Sequence, residues 1–120
     1  MKLVTAIIRA PDLDTARRAL AAFHAPGLTV SPLMAASLWN RHLEVYRATV
    51  LVADLVPRLR IDVLARDEDA EDLAVVLARI GSGGRGPGGA GGGDDTIRVW
   101  VSRVETVVRV RTGERGEAAV

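Results

Sequence analysis

The stretch RLRIDVLARDEDAEDLAVVLARI, residues 58–80, joins a strand pattern directly to a helix pattern. From Arg58 to Leu64 charged and apolar residues alternate, and this period of two predicts a strand with one buried face. From Asp67 to Ile80 apolar residues recur at helical spacing behind an acidic first turn, whose negative charges favour the helix dipole. The stretch therefore predicts a strand that passes directly into an amphipathic helix.

The residues on either side of this stretch predict further strands and one more helix. An apolar run rich in Val, Ile and Thr opens the chain, and apolar residues at helical spacing follow it, with Asp12 or Asp14 as the capping residue. The additional elements are a strand at residues 2–9, a helix that ends before Pro26, a strand at 28–33, a strand at 97–101 and a short strand at 107–111. The order β-α-β-β-α-β plus a terminal strand predicts an α+β, ferredoxin-like sandwich whose helices cover one face of the sheet.

Length and composition fit one small domain, residues 1–120, with an aliphatic core. The chain is 48% hydrophobic but only 3% aromatic, and domains of this size often gain stability by oligomerising. The formal net charge of +1 disfavours nucleic-acid binding, which normally needs a clear basic excess. Cysteine is absent, which fits a reducing cytoplasm, and no apolar run approaches the roughly 20 residues of a membrane span. We expect a soluble, cytoplasmic protein without direct membrane insertion.

Two segments predict loops. Residues 34–41 have no clean period, and nine of the thirteen residues in 81–93 are glycine. A segment so rich in glycine buries almost nothing, and too little chain follows it to form another domain. We interpret it as a long loop inside one domain, while a linker without any ligand role is the alternative.

Four short segments carry a family resemblance. They are MKLVTAII at 1–8, GLTV at 27–30, H-x-E-x-Y-R at 42–47 and VVRVRTGERGE at 107–117. In this order the chain resembles the PII nitrogen-regulatory proteins over essentially its whole length. The resemblance implies a homotrimer of ferredoxin-like domains, with ATP or ADP bound in clefts between subunits.

The same resemblance assigns roles to the loops. It implies a T-loop at about 36–55 that reports the nucleotide state to partners, typically a membrane transporter or a metabolic enzyme. It also implies a B-loop at about 81–96 that wraps phosphate with backbone N–H groups. Glycine suits such a loop because it allows close approach and positive φ. The residues themselves predict a polar C-terminal tail at 112–120.

Arginines near the end of the chain are the clearest candidates for binding phosphate. Arg109 and Arg111 are two residues apart on the predicted last strand, so both side chains would leave the same face. Adjacent guanidinium groups repel each other unless an anion lies between them, and phosphate matches their planar geometry. The resemblance implies that they hold nucleotide phosphates across the subunit boundary, and that Arg98 replaces a phosphate-binding lysine. A solvated strand face is the alternative.

The resemblance implies further contacts to the nucleotide from the strands. Thr29, Asp62 and Leu64 align with family positions around the adenine and ribose, and Asp62 replaces a longer glutamate. Arg58, which is also among the predicted nucleotide-binding residues, replaces the lysine that binds the 2-oxoglutarate carboxylate and could still pair with one. Ordinary strand residues without a ligand are the alternative for the first three.

The T-loop contains the largest departures from the family. Leu38 and Trp39 replace an arginine and the glutamine that coordinates magnesium, and indole cannot ligate a metal. We therefore expect 2-oxoglutarate sensing to be lost or strongly altered, and no metal without nucleotide. Leu51 stands at the uridylylated tyrosine of some members, so that switch is absent. Leu38 and Trp39 either dock onto a partner or pack on the protein's own surface.

Function follows as a ranked set of hypotheses. The leading one is an adenine-nucleotide sensor that regulates a partner protein. The first alternative is a divergent sensor of AMP, a cyclic nucleotide or bicarbonate, and the second is a scaffold that has lost its ligand. An enzyme is not expected, because no nucleophile–base pair of convincing specificity is present.

Overall fold

The computed structural model describes residues 1–23, 25–37, 55–83 and 95–120. Four strands and two helices follow one another as β1 (Lys2–Ile8), α1 (Leu13–Ala21), β2 (Thr29–Ala35), β3 (Val56–Ala65), α2 (Asp67–Gly81) and β4 (Arg98–Arg103). Short 3-10 helices lie at Ala10–Asp12 and Gly116–Ala119. The predicted order β-α-β-β-α-β is confirmed.

The strands form one antiparallel sheet in the order β2-β3-β1-β4. This order, with both helices packed on one side, is the ferredoxin-like arrangement that the sequence predicts. In the central strand β1, the consecutive residues Val4, Thr5 and Ala6 are all buried. At Thr5, therefore, the central strand is buried on both faces of the sheet.

The helix-covered face of the sheet carries the hydrophobic core. Val4, Ala6 and Ile8 of β1 lie in register with Val63, Ile61 and Leu59 of β3, and the helices pack against them. Leu20, Leu73 and Leu77 are the helical side chains buried deepest in this core. Each large aliphatic side chain buried in this way stabilises the fold by about 2 kcal/mol.

The other face, here called the open face, carries a polar network at its centre. The Thr5 hydroxyl donates to Asp62 Oδ1 at 2.6 Å, and Arg60 Nε donates to Asp62 Oδ2 at 3.0 Å. The Arg60 guanidinium lies 5.8 Å from the centre of the Trp100 ring, within range of a cation–π contact. Thr5 is 0% exposed, because Asp62 and Trp100 stand directly opposite it on the two neighbouring strands.

Several predicted boundaries differ from those observed. β2 continues to Ala35, where the sequence predicts a loop, because residues up to that point pair with β3 as far as Val56. Asp12 precedes α1 but makes no capping hydrogen bond, since its carboxylate accepts from Arg9 Nε at 3.1 Å. A 3-10 turn at the start of the helix takes the place of the expected cap.

The predicted last strand at 107–111 is wrong. A single bridge joins Val108 to Arg115, and the Gly113 N–H donates to the Arg109 carbonyl at 2.7 Å, which closes a tight turn. Gly113 has φ +74°, a left-handed conformation that glycine adopts without steric cost. The tail predicted to be polar also folds back, and Ala119 within it is only 7% exposed.

Candidate functional site

Chain segments from all four strands meet at one end of the sheet. Here β1 and β2 finish while β3 and β4 begin, because every pair of neighbouring strands is antiparallel. A cavity of about 330 Å³, here called the sheet-end cavity, opens at this end. Its lining residues are Ile7, Ala35, Ala36, Ser37, Asp95, Thr96 and Arg98.

Side-chain hydrogen bonds hold the cavity together. Ser37 Oγ donates to Asp95 Oδ2 at 3.1 Å, which joins the end of β2 to the turn before β4. Arg58 Nε donates to the hydroxyl of Thr96 at 3.1 Å, and Arg98 Nε donates to the Asp95 carbonyl at 3.3 Å. Two guanidinium groups therefore lie at the same end of the sheet, and guanidinium groups form strong hydrogen bonds with anions.

Close packing fixes the position of this turn against α2. Gly81, the last residue of α2, is buried, and a Cβ atom there would approach Ile97 Cγ2 to 2.6 Å. Only glycine allows the helix end and the turn to come this close without a shift. The arginine that begins β4 is thus held by backbone packing as well as by hydrogen bonds.

The residues predicted to contact the nucleoside lie farther along the open face. Thr29 is paired with Asp62 across β2 and β3, and Leu64 follows on the same face of β3. Asp62 lies four residues from Arg58, which corresponds to about 13 Å along an extended strand. The structure therefore arranges these predicted contacts along one face, with the arginines Arg58 and Arg98 toward one end.

The two C-terminal arginines lie elsewhere in the chain. β4 carries the backbone about 17 Å from Arg98 to Arg103. At that point the Val104 N–H donates to the Met1 carbonyl, at the opposite end of the sheet. Arg109 and Arg111 follow beyond this point, and among the described residues no hydrogen bond or ion pair joins either of them to Arg98.

The predicted geometry of these two arginines is also wrong. They do not share a strand face, because a turn begins between them at residue 110. Arg109 Nη1 pairs with Glu114 Oε1 at 3.5 Å, whereas Arg111 is exposed and forms no ion pair with any described residue. Phosphate binding by Arg109 and Arg111 stays a prediction that is based on guanidinium chemistry and on the family resemblance. Strand periodicity no longer supports it.

Comparison with known proteins identifies the family. Residues 1–114 match the family described as Nitrogen regulatory protein P-II. The chain is 33% identical to nitrogen regulatory protein P-II of Rhizobium meliloti (strain 1021) and 31% identical to nitrogen regulatory protein GlnK of Escherichia coli (strain K12). It is 34% identical to nitrogen regulatory protein P-II of Cereibacter sphaeroides, and each comparison covers 100% of both chains.

This chain belongs to the P-II family. The resemblance seen in the sequence is therefore confirmed, and so is the ferredoxin-like fold. P-II relatives are named as nitrogen regulatory proteins, which confirms a regulator rather than an enzyme. No helix in the described part of this P-II chain is long and apolar enough to cross a membrane.

Several predicted site residues of this P-II chain lie outside the described residues. They are Leu38, Trp39 and Leu51 of the T-loop, together with residues 84–94 of the predicted B-loop. Their partner-binding and phosphate-binding roles remain predictions. Within the ranges that are described, no group of three or more His, Asp or Glu residues could hold a metal ion.

Sequence reasoning missed two features of this P-II chain. It did not find the contact between Ser37 and Asp95, which are 58 positions apart, or the role of Thr5 under Asp62. The alternation in β3 places Arg60 and Asp62 on one face, so the contact between these two side chains could have been predicted from the sequence. The contacts across strands needed the register, which no local pattern contains.

Proposed function

We propose that this chain assembles as a homotrimer, binds ATP or ADP in clefts between subunits and regulates a partner protein according to the bound nucleotide. The observation that carries the proposal is the separation of its cationic groups. Arg58 and Arg98 lie at one end of the sheet, and Arg109 and Arg111 follow beyond the other end. We infer that one chain does not bring all four to a single phosphate chain, and that two neighbouring chains do.

The exposed apolar residues support an interface between copies. Val110, between the two C-terminal arginines, is 94% exposed, and Trp100 on the open face is 38% exposed. Tryptophan and arginine are enriched at protein interfaces, where burial of the ring and stem contributes most of the binding energy. A second copy over the open face would bury Trp100 and bring a C-terminal turn close to a neighbouring sheet end.

Each part of a nucleotide has a matching group in this arrangement. Leu64 offers an apolar contact for the base, and Asp62 offers a carboxylate that can accept from a ribose hydroxyl. Arg58 and Arg98 face the phosphate end, where planar guanidinium groups match phosphate oxygens. The contacts from Thr29, Asp62 and Leu64 follow the family resemblance and stay part of the proposal.

The regulatory output is proposed to pass through the segment between β2 and β3. Ser37, which lines the sheet-end cavity, stands at its beginning, and the cross-strand pair Ala35–Val56 closes its two ends. A ligand in the cavity would therefore contact the base of this segment. It shifts the segment's conformation only through its different affinity for the two conformations. The partner, a transporter or a metabolic enzyme, would recognise one of them.

Subunit mixing gives the sharpest test of a site shared between chains. Arg98→Ala and Arg109→Ala are each expected to weaken ATP and ADP binding at least about tenfold in calorimetry, since each removes a charged hydrogen bond. Trimers reassembled from equal amounts of the two variants should regain about a quarter of the wild-type sites, because one cleft then receives both arginines. Arg79→Ala, an exposed arginine on α2, is the matched control.

Three outcomes would contradict the proposal. The first is a monomer in light scattering, and the second is no recovery in mixed trimers. The third is a thermal-shift response to AMP, a cyclic nucleotide or bicarbonate but to neither ATP nor ADP, which would favour a sensor of another ligand.

A further inference from the structure

An exposed acidic side chain lines the cavity that is proposed to receive phosphate. Asp95 lines the sheet-end cavity together with Arg98, and its carboxylate accepts a hydrogen bond from Ser37 at 3.1 Å. The same residue's carbonyl accepts from Arg98 Nε at 3.3 Å. The Asp95 carboxylate and the Arg98 guanidinium therefore belong to the same short segment, where β4 begins.

From this juxtaposition we infer that Asp95 determines specificity by ligand charge, and that it disfavours the nucleotide with more phosphates. The inference rests on the proposed nucleotide site. Asp95 lowers the affinity for ATP more than for ADP, and for ADP more than for AMP, because each added phosphate brings more negative charge toward its carboxylate.

The surrounding contacts hold the carboxylate in place. Thr96, the next residue, is buried and accepts from Arg58 Nε at 3.1 Å, while Ile97 packs against the end of α2 at Gly81. The turn cannot swing away without breaking these contacts. Ser37 then keeps the carboxylate directed at the end of β2, on the wall of the cavity.

The local charge balance makes the effect large enough to measure. Among the described residues, Arg58 and Arg98 contribute two positive charges at this end of the sheet, and Asp95 contributes one negative charge. The Asp95 carboxylate lines the cavity beside Arg98, so it acts directly on an anion that enters. A phosphate that enters must either approach this carboxylate or displace it from Ser37.

Titration calorimetry of Asp95→Asn with three ligands tests the inference. Relative to wild type, we expect affinity to rise about tenfold for ATP, about fivefold for ADP and about twofold for AMP, in low salt without divalent metal. The gain for ATP should shrink at about 0.5 M salt, where screening is strong. Asp72→Asn, which removes an exposed carboxylate on α2, has the same net charge and should leave all three affinities unchanged.

A second variant separates charge from shape. Ser37→Ala keeps the carboxylate but removes its hydrogen bond, so it should change the three affinities by a similar factor. Equal gains for all three ligands in Asp95→Asn would overturn the inference alone, and so would weaker binding of ATP by this variant. If Asp95→Asn binds ATP more weakly only when Mg²⁺ is present, the inference is overturned in favour of a metal-ligand role for Asp95. Absence of binding by both wild type and Asp95→Asn would overturn the proposed function together with the inference.

Discussion

The two faces of the sheet are made from alternate residues of the same strands, yet they are held together by different forces. On the helix-covered face, Val4, Ile61 and Val63 are packed without polar atoms. On the open face, Thr5, Asp62 and their neighbours form a hydrogen-bonded network instead. Burial of apolar surface is non-directional, whereas the network depends on each atom's position. The first face secures the fold, and the second is available for recognition.

Removal of a core leucine should give the largest effect on stability. Leu77→Ala leaves a cavity between α2 and the sheet, and we expect a loss of about 2–5 kcal/mol in the free energy of unfolding. Urea denaturation followed by circular dichroism measures it. Val75→Ala, at an exposed position of the same helix, is the control. A loss below about 1 kcal/mol for Leu77→Ala would mean that the site can collapse and fill the space.

Removal of the buried hydroxyl on the open face should give an intermediate effect. Thr5→Val removes the donor that lies 2.6 Å from Asp62 Oδ1 and leaves this oxygen only the longer contact of 3.4 Å with Arg60 Nη2. Loss of a hydrogen bond to a charged, partly buried group costs about 1–3 kcal/mol. The same denaturation assay applies, with Thr29→Val at an exposed site on this face as the control. If the two threonine variants lose the same stability, the network adds nothing beyond ordinary strand packing.

An exposed ion pair at the start of α2 should give the smallest effect, and its pH dependence identifies it. The hydrogen bond from the Met1 ammonium at 2.6 Å lowers the pKa of Asp67 below its ordinary value. Because the folded pKa is the lower one, the stabilisation is present above the unfolded pKa and disappears as pH falls through the folded pKa. Asp67→Asn should thus lower the melting temperature slightly at pH 7 and not at all in strong acid.

The control for this pair is Asp72→Asn, which changes an exposed acid farther along the same helix. A pH-independent difference between Asp67→Asn and wild type would show that the ammonium contact is not the cause.

The difference between the two faces of the sheet also explains what could be predicted from the sequence. Alternation in residues 58–64 predicts both faces of β3, because burial repeats with a period of two. The same reasoning failed at Arg109 and Arg111, where the turn closed by Gly113 replaces a strand. Local turn chemistry outweighed the alternation there. Family resemblance predicts ligand-binding roles for Arg58 and Arg98, and these stay predictions. The contact of Ser37 with Asp95 depends on the folded chain, so no local pattern predicts it.

The pairing of Ala35 with Val56 has a consequence for how such a protein diverges. The chain leaves and re-enters the sheet at paired positions of neighbouring strands, so the sheet fixes both ends of the sequence between Ala35 and Val56. Doubling the length of such an insert adds only about 0.6 kcal/mol of closure entropy. Evolution can therefore lengthen or exchange the sequence between these two residues at little entropic cost, while the sheet beneath it stays intact.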